Sequence, residues 1–178
     1  MVEKTNKILF ASDLSVDMKI VFEQAVALST YCDTGIIVLH VMDETSKNSE
    51  SMMRMAFGEA LYEKIKADQR DGAKNLLIGK NVDALKIRQA ISGFFAETSK
   101  DNGIEETDSP IEKILIAEGR SIADEIAATA EEEACGYIVM GCRQQGILSE
   151  AMGDHLVKKV LKRSKMPVLA VPFKSEKS

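Results

Sequence analysis

The sequence has no tryptophan, only two histidines, three cysteines and three prolines in 178 residues. His40 and His155 are too few for most metal constellations, and Cys32, Cys135 and Cys142 show no CxxC spacing. An odd count with that spacing argues against a disulfide framework or a zinc site, so no metal is expected. No apolar run approaches the roughly 18–20 residues needed to cross a bilayer, and no membrane association is expected. Positive charge is not in excess either. A net charge of -5 argues against a general nucleic-acid binder, whose phosphate contacts need a basic face. It leaves room for a small ligand in a local positive patch. The polar start from Met1 to Lys7 leads straight into strand-like residues, so no signal peptide is expected and a cytoplasmic location is the default.

What is present is an ordinary globular balance, 45% hydrophobic and 29% charged, in a length that suits one domain, 1–178. Five short apolar runs read as strands: Ile8–Ser12, Ile36–Met42, Lys113–Ala117, Tyr137–Gly141 and Val168–Val171. They are continuous rather than alternating, as in strands buried on both faces of a parallel sheet. Helical spacing separates them. Val16 to Cys32 carries Val21, Ala25, Leu28 and Cys32 on one face, with Gly35 beyond its end. Ile122 to Cys135 carries Ile122, Ile126 and Ala130, with Ser121 and Asp124 as a capping pair and Gly136 as the stop. A last helix, about Ala151–Arg163, is expected to bury Leu156, Val160 and Leu161 and to turn Lys158, Lys159, Lys162 and Arg163 to water. Cys32 and Cys135 read as core or near-core thiols, and Cys142 as a loop thiol worth testing for reactivity.

The stretch between the second and third strands, 44–111, is too long for one crossover helix. It reads as a helical elaboration: one helix over about Ser49–Arg70, a connector over Asp71–Asn81, and a second helix over about Val82–Thr98. The acidic run Ile104–Pro110 follows. Met52, Met53 and Met55 read as packing residues before they read as a flexible contact surface.

Alternating strands and helices predict a parallel sheet covered on both faces, with ligands beyond the carboxyl ends of the strands where strand order reverses. The residues at those ends are Ser12, Asp13, Leu14 and Ser15, then Val41 to Asp43, then the run from Gly141 through Gly146 to Gly153 and Asp154.

In order along the chain, "KILFASDLS", "LHVMD", "IAEGR", "YIVMGCR" and "GDHLVKKVLKRSKMPVLAVP" resemble the universal stress protein family over roughly residues 5–43 and 112–173. The resemblance implies an α/β fold: a five-stranded parallel sheet of order 3-2-1-4-5 with helices on both faces, the adenine nucleotide alpha hydrolase-like architecture. It also implies a homodimer, here through the last strand, Val168–Val171, whose apolar edge invites pairing. Many members bind ATP through a Gly-x-x-Gly-x9-Gly-Ser/Thr loop, whose backbone N–H groups cradle phosphates. Gly141 matches the first glycine, and Arg143 stands where basic residues are frequent. Gln144 replaces the second glycine, the loop is one residue short, and Gly146 aligns with an additional glycine before the helix. Gly153 matches the third glycine, but Asp154 replaces the Ser or Thr. Asp13 matches the acidic residue near the nucleoside and Val41 the position whose backbone meets adenine. ATP or AMP binding is therefore expected to be weak or absent.

Plainer roles stand beside these. Asp13 can cap the first helix, Gly146 and Gly153 can serve turn geometry, Arg143 can pair with Glu150, Asp154 can cap the last helix, and His40 can be a packed core histidine. Rival enzymes fit worse. There is no Walker loop, no Ser-Gly-Gly-x-Asp-Ser loop after strand one, no receiver-type acidic pair beside Asp13, and no convincing nucleophile triad. The expectation is a homodimeric, non-catalytic stress-response or regulatory protein that acts by binding a protein partner or sensing a metabolite, neither of which the sequence names. The alternative is a working ATP sensor or slow ATPase.

Overall fold

The computed structural model describes residues 7–13, 15–43, 51, 54–55, 58–60, 62–63, 67, 75–78, 110–144 and 155–174. The strands are β1 (Lys7–Ala11), β2 (Ile36–Asp43), β3 (Asn75–Ile78), β4 (Ile111–Gly119), β5 (Cys135–Arg143) and β6 (Val168–Phe173). The helices are α1 (Lys19–Cys32), preceded by a 3-10 turn at Val16–Met18, α2 (Ile122–Glu132) and α3 (His155–Arg163). The sheet order is β3-β4-β2-β1-β5-β6. The run β4-β2-β1-β5-β6 is wholly parallel, which is the 3-2-1-4-5 arrangement expected from the sequence.

The sixth strand is the surprise. β3 lies within the stretch 71–81 that reads as a connector, and it pairs antiparallel with β4, Leu76 opposite Leu115. Four residues are too few to give a periodic signal. Elsewhere in the elaboration, Ser51, Arg54, Met55, Glu59, Ala60, Tyr62, Glu63 and Ala67 are helical, inside the first helix expected there. The second expected helix lies outside the described residues.

Strand alternation divides the interior into two layers. Ile8, Phe10, Ile36, Val38 and Met42 pack with Val21, Phe22 and Ala25 of α1 on one face. Leu9, Ala11, Ile37, Leu39 and Val41 pack with Ala123, Ile126 and Ala130 of α2 and with Val157 and Val160 of α3 on the other. This is why the strands read as unbroken apolar runs: both sides of each are covered. The crossovers put α1 on one face and α2 with α3 on the other, because right-handed connections leave β1 and β5 in opposite directions across the sheet. Among the described residues no helix is long and apolar enough to cross a membrane.

Helix ends depart from the expected residues. Asp33 (φ 50°) and Ala134 (φ 51°) adopt the left-handed conformation; Gly35 follows the end of α1 as expected, whereas Gly136 is not the stop of α2 and lies within β5. α3 buries Val157 with Val160, whereas Leu161 is 57% exposed, a correction to the expected face. Val157 and Val160 centre the buried face between them, about 70° round the helix from Leu161, which is left at its edge. Cys142 is also corrected: it is a half-buried β5 residue packed on the second layer, not a loop thiol.

The cap of α2 is as expected. Ser121 Oγ accepts from Asp124 N at 3.3 Å. The Asp124 carboxyl sits below its ordinary range, first through its hydrogen bond with Ser121 and then through Arg163 of α3, whose Nε donates to Asp124 Oδ1. Ser121→Ala is expected to lower stability by about 1 kcal/mol, the usual value of an N-cap, read as a shift of the urea midpoint at unchanged slope.

Candidate functional site

The carboxyl ends of the parallel strands surround a cleft of about 320 Å³. It opens where β1 and β5 send their connections to opposite faces, the crevice expected at a reversal of strand order. Ala11, Ser12 and Asp13 bring the end of β1 to it, Leu39 and Val41 the end of β2, and Met140, Gly141 and Arg143 the end of β5. Ile122 and Ile126 of α2 and Leu156 of α3 wall one side, while Met18 and Phe173 complete the other. Among the described residues the lining is chiefly apolar, with one carboxylate and one guanidinium, the composition of a small-molecule site with a few orienting groups.

Four sequence candidates, Asp13, Val41, Gly141 and Arg143, therefore share one cleft. Gly146, Gly153 and Asp154 lie outside the described residues, as does Glu150, the surface partner considered for Arg143. Val41 is nearly buried in the second layer. Asp13 is exposed, and its Oδ1 accepts from Ser15 N at 2.8 Å. Its local role is thus to close a turn, not to cap α1, whose N-cap is Met18 without any side-chain cap.

Gly141 has a packing reason to be glycine. A Cβ there would lie 2.6 Å from Phe173 Cε1 and 2.9 Å from Met18 Sδ. The Arg143 guanidinium carbon stands 5.8 Å from the centre of the Phe173 ring, a cation–π distance that holds the group beside the cleft. The next residue settles the local use of the backbone: Gln144 N donates to Phe173 O at 2.7 Å, extending the β5–β6 pairing. An N–H committed to a strand partner does not point at a phosphate.

Sequence reasoning passed over Met18, Ile122, Ile126, Leu156 and Phe173 as lining residues. Phe173 lies two positions beyond the expected end of the last strand, and its aromatic side chain after Pro172 was the available signal. Cys135 is no nucleophile, since burial pushes its thiol up to about 11 and leaves it protonated near neutrality.

The sequence model of the universal stress protein family matches residues 4–172. No curated protein sequence matches the chain. Among solved structures, the chain is similar to the universal stress protein UspA from Lactobacillus plantarum, with 18% identity, a TM-score of 0.55, and 94% of this chain and 97% of that one covered. It is also similar to a universal stress protein from Archaeoglobus fulgidus, with 15% identity, a TM-score of 0.53, and 95% and 93% covered. A universal stress protein from Archaeoglobus fulgidus in complex with dAMP aligns at 14% identity and a TM-score of 0.50 over 95% of this chain and 98% of that one. At these identities the structural likeness concerns the fold.

Proposed function

The chain belongs to the universal stress protein family, and from that premise we propose that it is a non-catalytic, cytoplasmic stress-response or regulatory protein acting through binding, with a cleft that holds a small adenine-type ligand and a weakened ATP site. The observation that carries this reading is the convergence of Asp13, Val41, Gly141 and Arg143 on one largely apolar cleft at the strand ends. The dAMP complex of the Archaeoglobus fulgidus relative supports an adenine nucleotide as the class to try first. Against tight triphosphate binding stand Gln144, whose N–H is bonded to Phe173 O, and Asp154 in place of a hydroxyl. A single cation, Arg143, among the described lining residues suits one compact anionic group better than three. The test is mass analysis of small molecules released when freshly purified protein is denatured. A nucleoside or nucleoside monophosphate is the expected result. Stoichiometric ATP would favour the working ATP sensor or slow ATPase instead.

The segment 44–111 belongs in this reading to the same domain. Tyr62, 2% exposed, packs in the same layer as Ile8 and Ile114, which supports an elaboration lying on the sheet. Homodimer formation through β6 is the second part of the proposal. β6 ends the sheet order, Leu169 is 41% exposed, and Ala170 is exposed beside it. An apolar edge strand favours self-pairing about a two-fold axis, and Pro167 and Pro172 limit its length. Light scattering at micromolar concentration is expected to give the mass of a dimer, and Leu169→Pro the mass of a folded monomer. A monomeric parent protein would refute this interface.

A further inference from the structure

His40 is a buried titratable group that the cleft does not use. It lies on β2 between Val38 and Met42, so alternation places it in the layer beneath α1, and it is 5% exposed. Its Nδ1 stands 2.8 Å from Ser12 O. A carbonyl has no proton to give, so Nδ1 carries the hydrogen and donates it, which leaves Nε2 of the neutral ring as a bare acceptor. That Nε2 is buried without a hydrogen-bond partner among the described residues, and so is Ser15 Oγ. Ser12 and Ser15 bracket Asp13 at the rim of the cleft. Among the described residues this short loop is held by Ser12 N to Leu39 O at 2.9 Å, His40 Nδ1 to Ser12 O, Ser15 N to Asp13 Oδ1 at 2.8 Å and Met18 N to Ser15 O at 3.0 Å.

We propose that His40 is a proton-operated latch on the loop that carries Asp13: neutral, it pins the Ser12 carbonyl and keeps the Asp13 turn in place; protonated on Nε2, it draws the Asp13 carboxylate out of that turn. The imidazolium has a second N–H that meets no acceptor among the described residues, and a buried charge without a partner is strongly unfavourable. Asp17 belongs to the β1–α1 connection, Lys19 and Glu23 to α1, Glu118 to β4 two residues beyond the pairing partner Ile116, and Tyr62 to the elaboration. Asp13 is the charged group that acts on the ring. Its carboxylate is next along the chain to the Ser12 carbonyl that the ring holds, and turning it to Nε2 costs the bond to Ser15 N. Burial holds the His40 ring below the ordinary histidine value, against the opposing pull of the Ser12 bond and the Asp13 charge. The neutral ring is thus the native form, so the latch is closed above the ordinary histidine value. It weakens as pH falls below that value towards the lowered one.

The latch concerns the loop whether or not a nucleotide binds, so its test needs no ligand. The chain has two histidines, so few ring signals need assignment. An NMR titration of uniformly 15N-labelled protein reports the ring nitrogens and the amides of Ser12, Asp13 and Ser15 together. His40 is expected to remain the neutral Nδ1–H tautomer through the ordinary histidine value. On further acidification it is expected to titrate with the same midpoint as shifts in the Asp13 and Ser15 amides. Asp13→Asn keeps an oxygen for the turn but removes the charge; it should move the His40 midpoint to lower pH and abolish the linked amide shifts. An Nε2–H tautomer, titration of His40 at the ordinary histidine value, or linked amide shifts that persist in Asp13→Asn would each overturn the latch. So would cooperative unfolding with the loop amides unchanged until the transition.

Discussion

Gly141→Val is expected to destabilise the protein by about 1–3 kcal/mol, the usual cost of forcing extra carbon into a packed interior. The added Cβ falls 2.6 Å from Phe173 Cε1 and 2.9 Å from Met18 Sδ, inside van der Waals contact with both. Met18 can give way by rotating its thioether. The Phe173 ring is nearly buried, and its carbonyl is tied to Gln144 N at 2.7 Å, so it has less freedom to yield. Valine adds two branches beyond the Cβ, so the strain exceeds that of Gly141→Ala, which should lie at the low end of the range. Displacing Phe173 also removes the ring beneath Arg143 and loosens the cation at the cleft. Urea denaturation of the parent and both variants measures the effect. An unchanged midpoint for Gly141→Val would mean that Phe173 swings aside at no cost, and that Gly141 is conformationally and sterically idle.

Asp154→Ser is expected to strengthen ATP binding by roughly tenfold or more while changing adenosine binding little. A carboxylate about 4 Å from a phosphate charge costs roughly 4 kcal/mol at an effective dielectric of 20 and about 1 in water. A lost neutral hydrogen bond costs only about 0.5–1.5 kcal/mol, so repulsion would be the larger effect of a carboxylate at position 154 beside a phosphate. Adenosine carries no phosphate and is the control for the nucleoside part of the cleft. Gln144→Gly should add less, because removing its side chain does not release its N–H from Phe173 O. Calorimetry with ATP and adenosine on the parent and the two variants separates these effects. Tight ATP binding by the parent with no gain from Asp154→Ser would place the Asp154 carboxylate away from the ligand and remove the argument for a weakened site.

The parallel strands were legible because burial on both faces leaves an unbroken apolar run, and Ile8 to Ala11 or Ile36 to Leu39 admit few other readings. The cap at Ser121 was legible because a hydroxyl three residues before an acid, ahead of a periodic stretch, is a local chemical signal. β3 was not, since Asn75–Ile78 owes its strand state to β4, which lies more than thirty residues further along the chain. Nor was the exposure of Leu161. Helical spacing gives which residues share a face, but the rotation of that face towards the sheet is decided by Val157 and Val160 in contact with it. In the cleft, the sequence supplied the groups at strand ends with distinctive chemistry, Asp13 and Arg143. It missed Phe173 and Met18, ordinary apolar residues whose place depends on where α1 and β6 meet the top of β5.

The division of the interior into two layers bears on how the protein would respond to damage and to ligand. The sheet keeps the layers apart, so truncations on opposite faces, for example at Phe22 and Ile126, should be close to additive, as for sites that share no partner. The cleft is where the layers meet: Met18 and Phe173 come from one, Leu39, Val41 and Met140 from the other. A molecule seated there touches both, and because it binds the folded chain alone it stabilises both together by mass action. Occupancy would then make the two faces energetically interdependent, so that a lesion beneath α1 is felt beneath α2 only while the cleft is filled.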